Sequence, residues 1–206
     1  MRRWIVGIGI IALVAGLYLA SPFVGLYRLG SALHSADAPA LLDRIDVAGV
    51  RRSIVSQIVD EIGQDEDVRR QLEKLGVVGR DMALRAAAGE FDRQLAATVT
   101  PEIIRLLLAE GRLPPEFTGG AADAAGTRTG SIGLPDNPLR FLRSWDYVSP
   151  RKVRAVIGEA GRPEDWTGLV LFLKGATWRL TEVQLPPAVL REVRPALKKA
   201  IEELRS

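Results

Sequence analysis

The chain has 206 residues, one histidine, no cysteine, and 28 basic against 25 acidic side chains, for a net charge of +3. That composition excludes thiol nucleophiles, disulfide staples and cysteine or multi-histidine metal centres, while the length suffices for a core that needs no staple. With Arg2 and Arg3 set aside, 26 basic residues face 25 acidic ones, and Arg51-Arg52, Arg69-Arg70 and Lys198-Lys199 each have acids within a few positions. Binding to nucleic acid phosphates needs a concentrated positive field, so nucleic acid is not an expected partner.

The chain begins with Arg2 and Arg3, after which the residues from Trp4 to Ala20 carry no charge. At about 1.5 Å per helical residue this run covers about 26 Å, and the extension to Tyr27 exceeds the roughly 30 Å of a bilayer's hydrocarbon. Gly7, Gly9 and Gly16 are tolerated in a membrane helix, and Trp4, Tyr18 and Tyr27 suit its two interfaces. A cleaved signal peptide shares the pattern. A cut after Ala20 would put Tyr18 where a small residue is needed, and Val14-Ala15-Gly16 is the other cut, so the expectation is a retained anchor over residues 1–27. Membrane contact is assigned to residues 4–24. The positive short flank puts the amino terminus in the cytoplasm and residues 28–206 outside it, in a bacterial periplasm.

From Phe23 to about Ile62 the spacing is helical. Leu26, Leu29, Ala32 and Leu33 share a face; Leu41, Leu42 and Ile45 mark a short second helix with Asp37 as its N-cap; Val50, Ile54, Ile58 and Ile62 mark a third that begins near Asp46. Asp65 to Leu75 reads as a charged, solvent-facing run, and Gly76 to Gly79 as a turn. Asp81 to Thr98 is alanine-rich, with Met82, Leu84, Phe91 and Leu95 as inward candidates. Thr100-Pro101-Glu102 starts a helix whose face is Ile103, Leu106 and Leu107. Residues 117–137, with five glycines among alanines and threonines, read as a linker or surface loop without a phosphate-cradling signature.

The period then changes. Phe141 to Val148, Lys152 to Ile157, Thr167 to Lys174 and Thr177 to Leu185 predict strands, the last two joined as a hairpin by Gly175-Ala176. Beyond Pro186-Pro187 a closing helix is expected, with Leu190, Val193, Leu197, Ile201 and Leu204 on one side and Pro195 as an interruption. Helices followed by antiparallel strands give an α+β domain, with helices packed on a curved sheet that takes a cone-like form.

No residue set forms a catalytic centre. His34 has neither a second imidazole nor a thiolate near it, Asp37, Asp43 and Asp46 do not have calcium-loop spacing, and no metal or cofactor is expected. Arg51 is a candidate anion clamp, its alternative being an ion pair. Trp145, Tyr147, Phe172 and Trp178 lie on the predicted sheet, where they either pack the core or stack on a ligand.

Ser21-Pro22 after the anchor, Ala32, Asp37, Asp46, Val50-Arg51, Ser53, Gln57 and the terminal Trp178-Arg179-Leu180-Thr181 with Leu185-Pro186 resemble the bacterial family known as domain of unknown function 2939. The likeness runs from about Leu17 to Pro187. Departures are the Gly/Ala/Thr insertion and Val47, where the family often has an aromatic. The resemblance implies a membrane-anchored, outward-facing protein with no assigned catalytic residue. The order of helices before strands is also similar to the nuclear transport factor 2-like fold, which hosts many functions. The expected activity is an envelope module that binds a protein partner or a small apolar ligand. Alternatives are a periplasmic enzyme with a buried carboxylate in a concave pocket, and a carrier of lipids or other amphiphiles.

Overall fold

A computed structural model describes residues 2–35, 38–64, 66–98, 100–110, 134–135 and 137–190. The predicted Asp37 cap, most of the 117–137 segment and the closing helix beyond residue 190 lie outside the described residues. The elements are α1 (Arg2–His34), α2 (Ala38–Leu42), α3 (Val47–Gly63), α4 (Glu66–Glu73), α5 (Gly76–Thr98) and α6 (Pro101–Glu110). They are followed by β1 (Leu142–Ser149), β2 (Lys152–Ile157), β3 (Thr167–Lys174) and β4 (Thr177–Gln184). The fold is α+β. Its sheet is an antiparallel meander in the order β1-β2-β3-β4.

The strands follow from alternation. One face carries the cross-strand rows Trp145-Ala155-Leu169-Val183 and Tyr147-Val153-Leu171-Leu180, the other Asp146-Arg154-Val170-Glu182. The first face joins the core, where Leu26, Leu29, Ala32 and Leu33 of α1 meet Ile104 and Leu108 of α6 and Leu134. Gly175, at φ +63, turns the β3–β4 hairpin in the left-handed region that glycine enters without a Cβ clash.

Two helical boundaries and one buried face differ from the spacing. The anchor and the first predicted helix are one unbroken helix, which runs through Pro22. The turn between α4 and α5 is Lys74-Leu75, Gly76 at φ +69 opens α5, and Gly79 is already helical. In α6 the buried residues are Ile104 and Leu108, whereas Ile103 and Leu106 are half-buried. Nearly every side chain from Ile103 to Leu108 is apolar, so periodicity could not choose the face that tertiary packing chose. In α5 Met82 is exposed and Leu84 half-buried; the side chains of Phe91 and Leu95 lie outside the description.

Pro22 has no N–H to offer the carbonyl of Tyr18. The Ser21 hydroxyl donates to that carbonyl at 2.7 Å and accepts from Trp178 Nε1 at 2.9 Å. Tyr147 Oη lies 3.5 Å from the same carbonyl and 3.4 Å from that of Leu19. The Ser21 hydroxyl, held by Trp178 and joined by Tyr147, thus replaces the lost helical bond, and α1 continues.

Along α1 the surroundings change sharply. Trp4 is 79 % exposed and Ile11 71 %, whereas Leu29 is 1 % and Leu33 0 % exposed. The first half presents apolar side chains to the outside all round, and the second half buries one stripe against the sheet.

Candidate functional site

The five residues singled out by sequence do not form one constellation. Arg51, on α3, forks onto Asp92 of α5, with Nε–Oδ1 at 2.8 Å and Nη2–Oδ2 at 3.2 Å. The pair holds the Asp92 carboxyl below its usual range, chiefly through that hydrogen bond, and raises the guanidinium for the same reason. The ion-pair alternative for Arg51 is what the geometry displays.

Trp145, Tyr147 and Trp178 face α1. The Trp145 ring lies 4.2 Å from that of Phe23 and 5.1 Å from that of Tyr147, which stacks on Tyr18 at 6.2 Å. Burial pushes the Tyr147 hydroxyl up from its ordinary value. Trp178 packs on Gly25, where a Cβ would come within 2.6 Å of the indole Cβ. The space between α1 and the sheet amounts to about 10 Å³, lined by Pro22, Phe23, Leu26, Trp145, Val153 and Leu171 among others. These three aromatics therefore join helix to sheet. Phe172 points to the opposite face, where the Arg151 guanidinium lies 5.1 Å from its ring centroid.

Several landmark residues that the sequence left without a role meet along β4. This strand is a sheet edge, and an open edge exposes unpaired N–H and C=O groups. Here the edge is closed from Arg44 to Gln57. Leu180 N donates to Arg44 O at 2.7 Å, and Asp46 N donates to Leu180 O at 2.8 Å. Ser53 Oγ accepts from Val183 N at 3.0 Å, while Gln57 donates to Val183 O at 2.7 Å and accepts from Leu185 N at 2.8 Å. Asp46 also caps α3, accepting from Gly49 N at 2.9 Å. Register shifts at Thr181, which stands as the extra residue of a bulge, and a Cβ on Gly49 would lie 2.7 Å from the Thr181 carbonyl. The helix approaches the strand closely because residue 49 has no side chain.

Beside this clasp opens a cleft of about 680 Å³, lined by Ile45, Asp46, Val47, Arg151, Phe172, Lys174, Arg179 and Thr181. Lys152 at its margin pairs with Glu182 at 2.8 Å, and Arg179 lies 3.8 Å from Asp43. Sequence reading missed this cluster because its members come from the α2–α3 segment and two hairpins, which only the tertiary fold and strand register bring together. Among the described residues no group of histidine, aspartate and glutamate side chains is arranged to hold a metal. His34 Nδ1 lies 3.0 Å from Gly30 O on its own helix.

No curated protein and no solved structure matches the chain. One family model does, over residues 11–107, a stretch that begins inside α1, ends inside α6 and stops short of the sheet. The Trp178 to Pro186 landmarks thus lie outside the matched stretch, whereas Ser21, Asp46, Ser53 and Gln57 lie within it. By that match, the helical half of the chain is similar to the family described as Protein of unknown function (DUF2939).

Proposed function

We propose that the chain is a single-pass, membrane-anchored module of a bacterial envelope, with its α+β domain on the periplasmic side of the inner membrane and a binding rather than a catalytic role. The observation that carries this reading is the division of α1. It is the one described helix long and apolar enough to cross a membrane, and its outer half leaves large apolar side chains bare, such as Ile8, Leu13 and Leu17. Water would penalise that surface at about 25 cal/mol per Å², and such bare area marks a lipid or protein contact. Arg2 and Arg3 on the short flank support a cytoplasmic amino terminus.

The binding part of the reading is supported by Leu75, Val77, Val78 and Met82, a group of exposed apolar side chains at the α4–α5 junction. These suit a protein partner in the envelope, and among the described residues the space between α1 and the sheet, about 10 Å³, is too small for an apolar ligand.

The test uses the full chain expressed in bacteria. The protein should stay with the membrane pellet through alkaline carbonate extraction, and a Glu164→Cys variant should react with an impermeant maleimide in intact spheroplasts. Release by carbonate would remove the anchor, and labelling only after lysis would reverse the topology.

A further inference from the structure

Both hairpin tips lie at the end of the domain from which the bare half of α1 emerges. Trp145 meets Phe23 and Tyr147 meets Tyr18, so β1 runs toward the amino-terminal end of α1. Two strand residues advance about 6.6 Å and five helical residues about 7.5 Å, so the two elements keep step. Two residues more take the β1–β2 tip past Tyr18, to the level of the exposed apolar run. The β3–β4 tip is tied to it, since Leu173 N donates to Arg151 O at 2.8 Å. Trp178 fixes its height at Ser21.

The chemistry of the tips is one-sided. Segments 148–152 and 172–179 contain Arg151, Lys152, Lys174 and Arg179 and no acid. Glu182 and Asp43 draw on Lys152 and Arg179, and Asp46, in the same cleft, is occupied as the α3 cap. Arg151 donates to the Leu173 carbonyl and lies over Phe172, and among the described residues its charge has no counter-ion. Lys174 has no ion pair or hydrogen bond among the described residues. Val148 and Phe172 beside them are exposed apolar side chains. Cations interleaved with bare apolar groups, held at the level where a helix leaves lipid, fit the boundary between headgroups and acyl chains.

We propose that the two hairpin tips form a seat for anionic phospholipid headgroups of the leaflet from which α1 emerges, with Arg151 and Lys174 facing phosphate and Val148 and Phe172 dipping below it. The proposal rests on the membrane-anchored reading above. It makes the domain a surface-bound body rather than one held off the bilayer on a stalk.

The natural chain has no cysteine, so single cysteines can carry a fluorophore without background. Full-length protein labelled at Leu13→Cys, Val148→Cys or Glu164→Cys is reconstituted in phosphatidylcholine vesicles with and without phosphatidylglycerol. Quenchers are spin-labelled lipids marked at the headgroup or deep in the acyl chain. The expected result is deep quenching at 13, headgroup quenching at 148 and neither at 164, which lies at the far end of the sheet. Phosphatidylglycerol should raise quenching at 148 about twofold, and Lys174→Glu alone, or with Arg151→Glu, should abolish that rise. Quenching at 148 no stronger than at 164, or a response to phosphatidylglycerol that is absent or survives charge reversal, overturns the seat. Loss of deep quenching at 13 instead overturns the anchor. Amide hydrogen exchange in β2 and β3 checks that each variant is folded.

Discussion

Where α1 crosses β4, one missing methyl group sets the distance between them. Gly25 lets the Trp178 side chain approach the helix closely, and the indole N–H reaches the Ser21 hydroxyl that repairs the proline gap. Gly25→Ala should destabilise the domain by about 1–3 kcal/mol despite alanine's better helix propensity, because overpacking against a buried ring outweighs the roughly 1 kcal/mol gained. Thermal unfolding in detergent reads the difference, and an unchanged or raised midpoint would show that α1 can shift at no cost. The sequence allowed Trp178 to be core or ligand platform, and did not show that Ser21-Pro22 and Trp178 are partners. A proline normally ends a helix in water; here the neighbouring Ser21 hydroxyl fills the gap, and Trp178 and Tyr147, which support it, lie more than a hundred residues away.

At the scale of elements, α3 works as the cover of a sheet edge, through side chains rather than strand pairing. Ser53→Ala with Gln57→Ala would leave Val183 N, Val183 O and Leu185 N without partners, at about 1–3 kcal/mol for each group that stays buried. Exchange of the Val183 and Leu185 amides should quicken well before that of Leu169 or Leu171 in the sheet interior; equal rates in all four would mean that the clasp is not a local lock. The second hold on α3 is the Arg51–Asp92 fork to α5. With the Asp92 pKa lowered in the folded state, its contribution is complete above the ordinary Asp value of about 4 and fades as pH falls through the lower folded value. Solvent screening limits it to about 0.5–1 kcal/mol. Asp92→Asn should therefore lower the midpoint by that amount at neutral pH and flatten the acid limb below about pH 4 relative to the natural chain, as followed by circular dichroism. β2 and β3 were legible to the residue: β2 sets Val153, Ala155 and Ile157 at alternate positions beside Lys152 and Arg154, and β3 is an unbroken apolar run bounded by Thr167 and Lys174. The faces of α5 and α6 were not: alanine gives no contrast, and a run of isoleucine and leucine gives too much.

For the whole molecule, the sequence's division into an anchor over 1–27 and a domain over 28–206 cuts through one continuous helix. The apolar run of residues 4–20 was readable because length and missing charge suffice to mark it. The basic cleft was not, because strand register, absent from any local window, brings Arg151 beside Phe172 and Lys174 near Arg179. The match over 11–107 covers the later part of the bare half of α1, its buried half, and α3, and stops short of the strands that both helices pack on.

The absence of a joint in α1 has a mechanical meaning. A helix that is longer than the local hydrocarbon thickness relieves the mismatch by tilting. Here Ser21, Tyr147 and Trp178 brace the helix at Pro22, which opposes a bend there that would leave the domain upright. On the membrane-anchored reading proposed above, a tilt of α1 in the bilayer would be passed to the sheet, lowering one edge of the domain toward the surface and lifting the other. The chain would then act as a lever whose short arm feels membrane thickness.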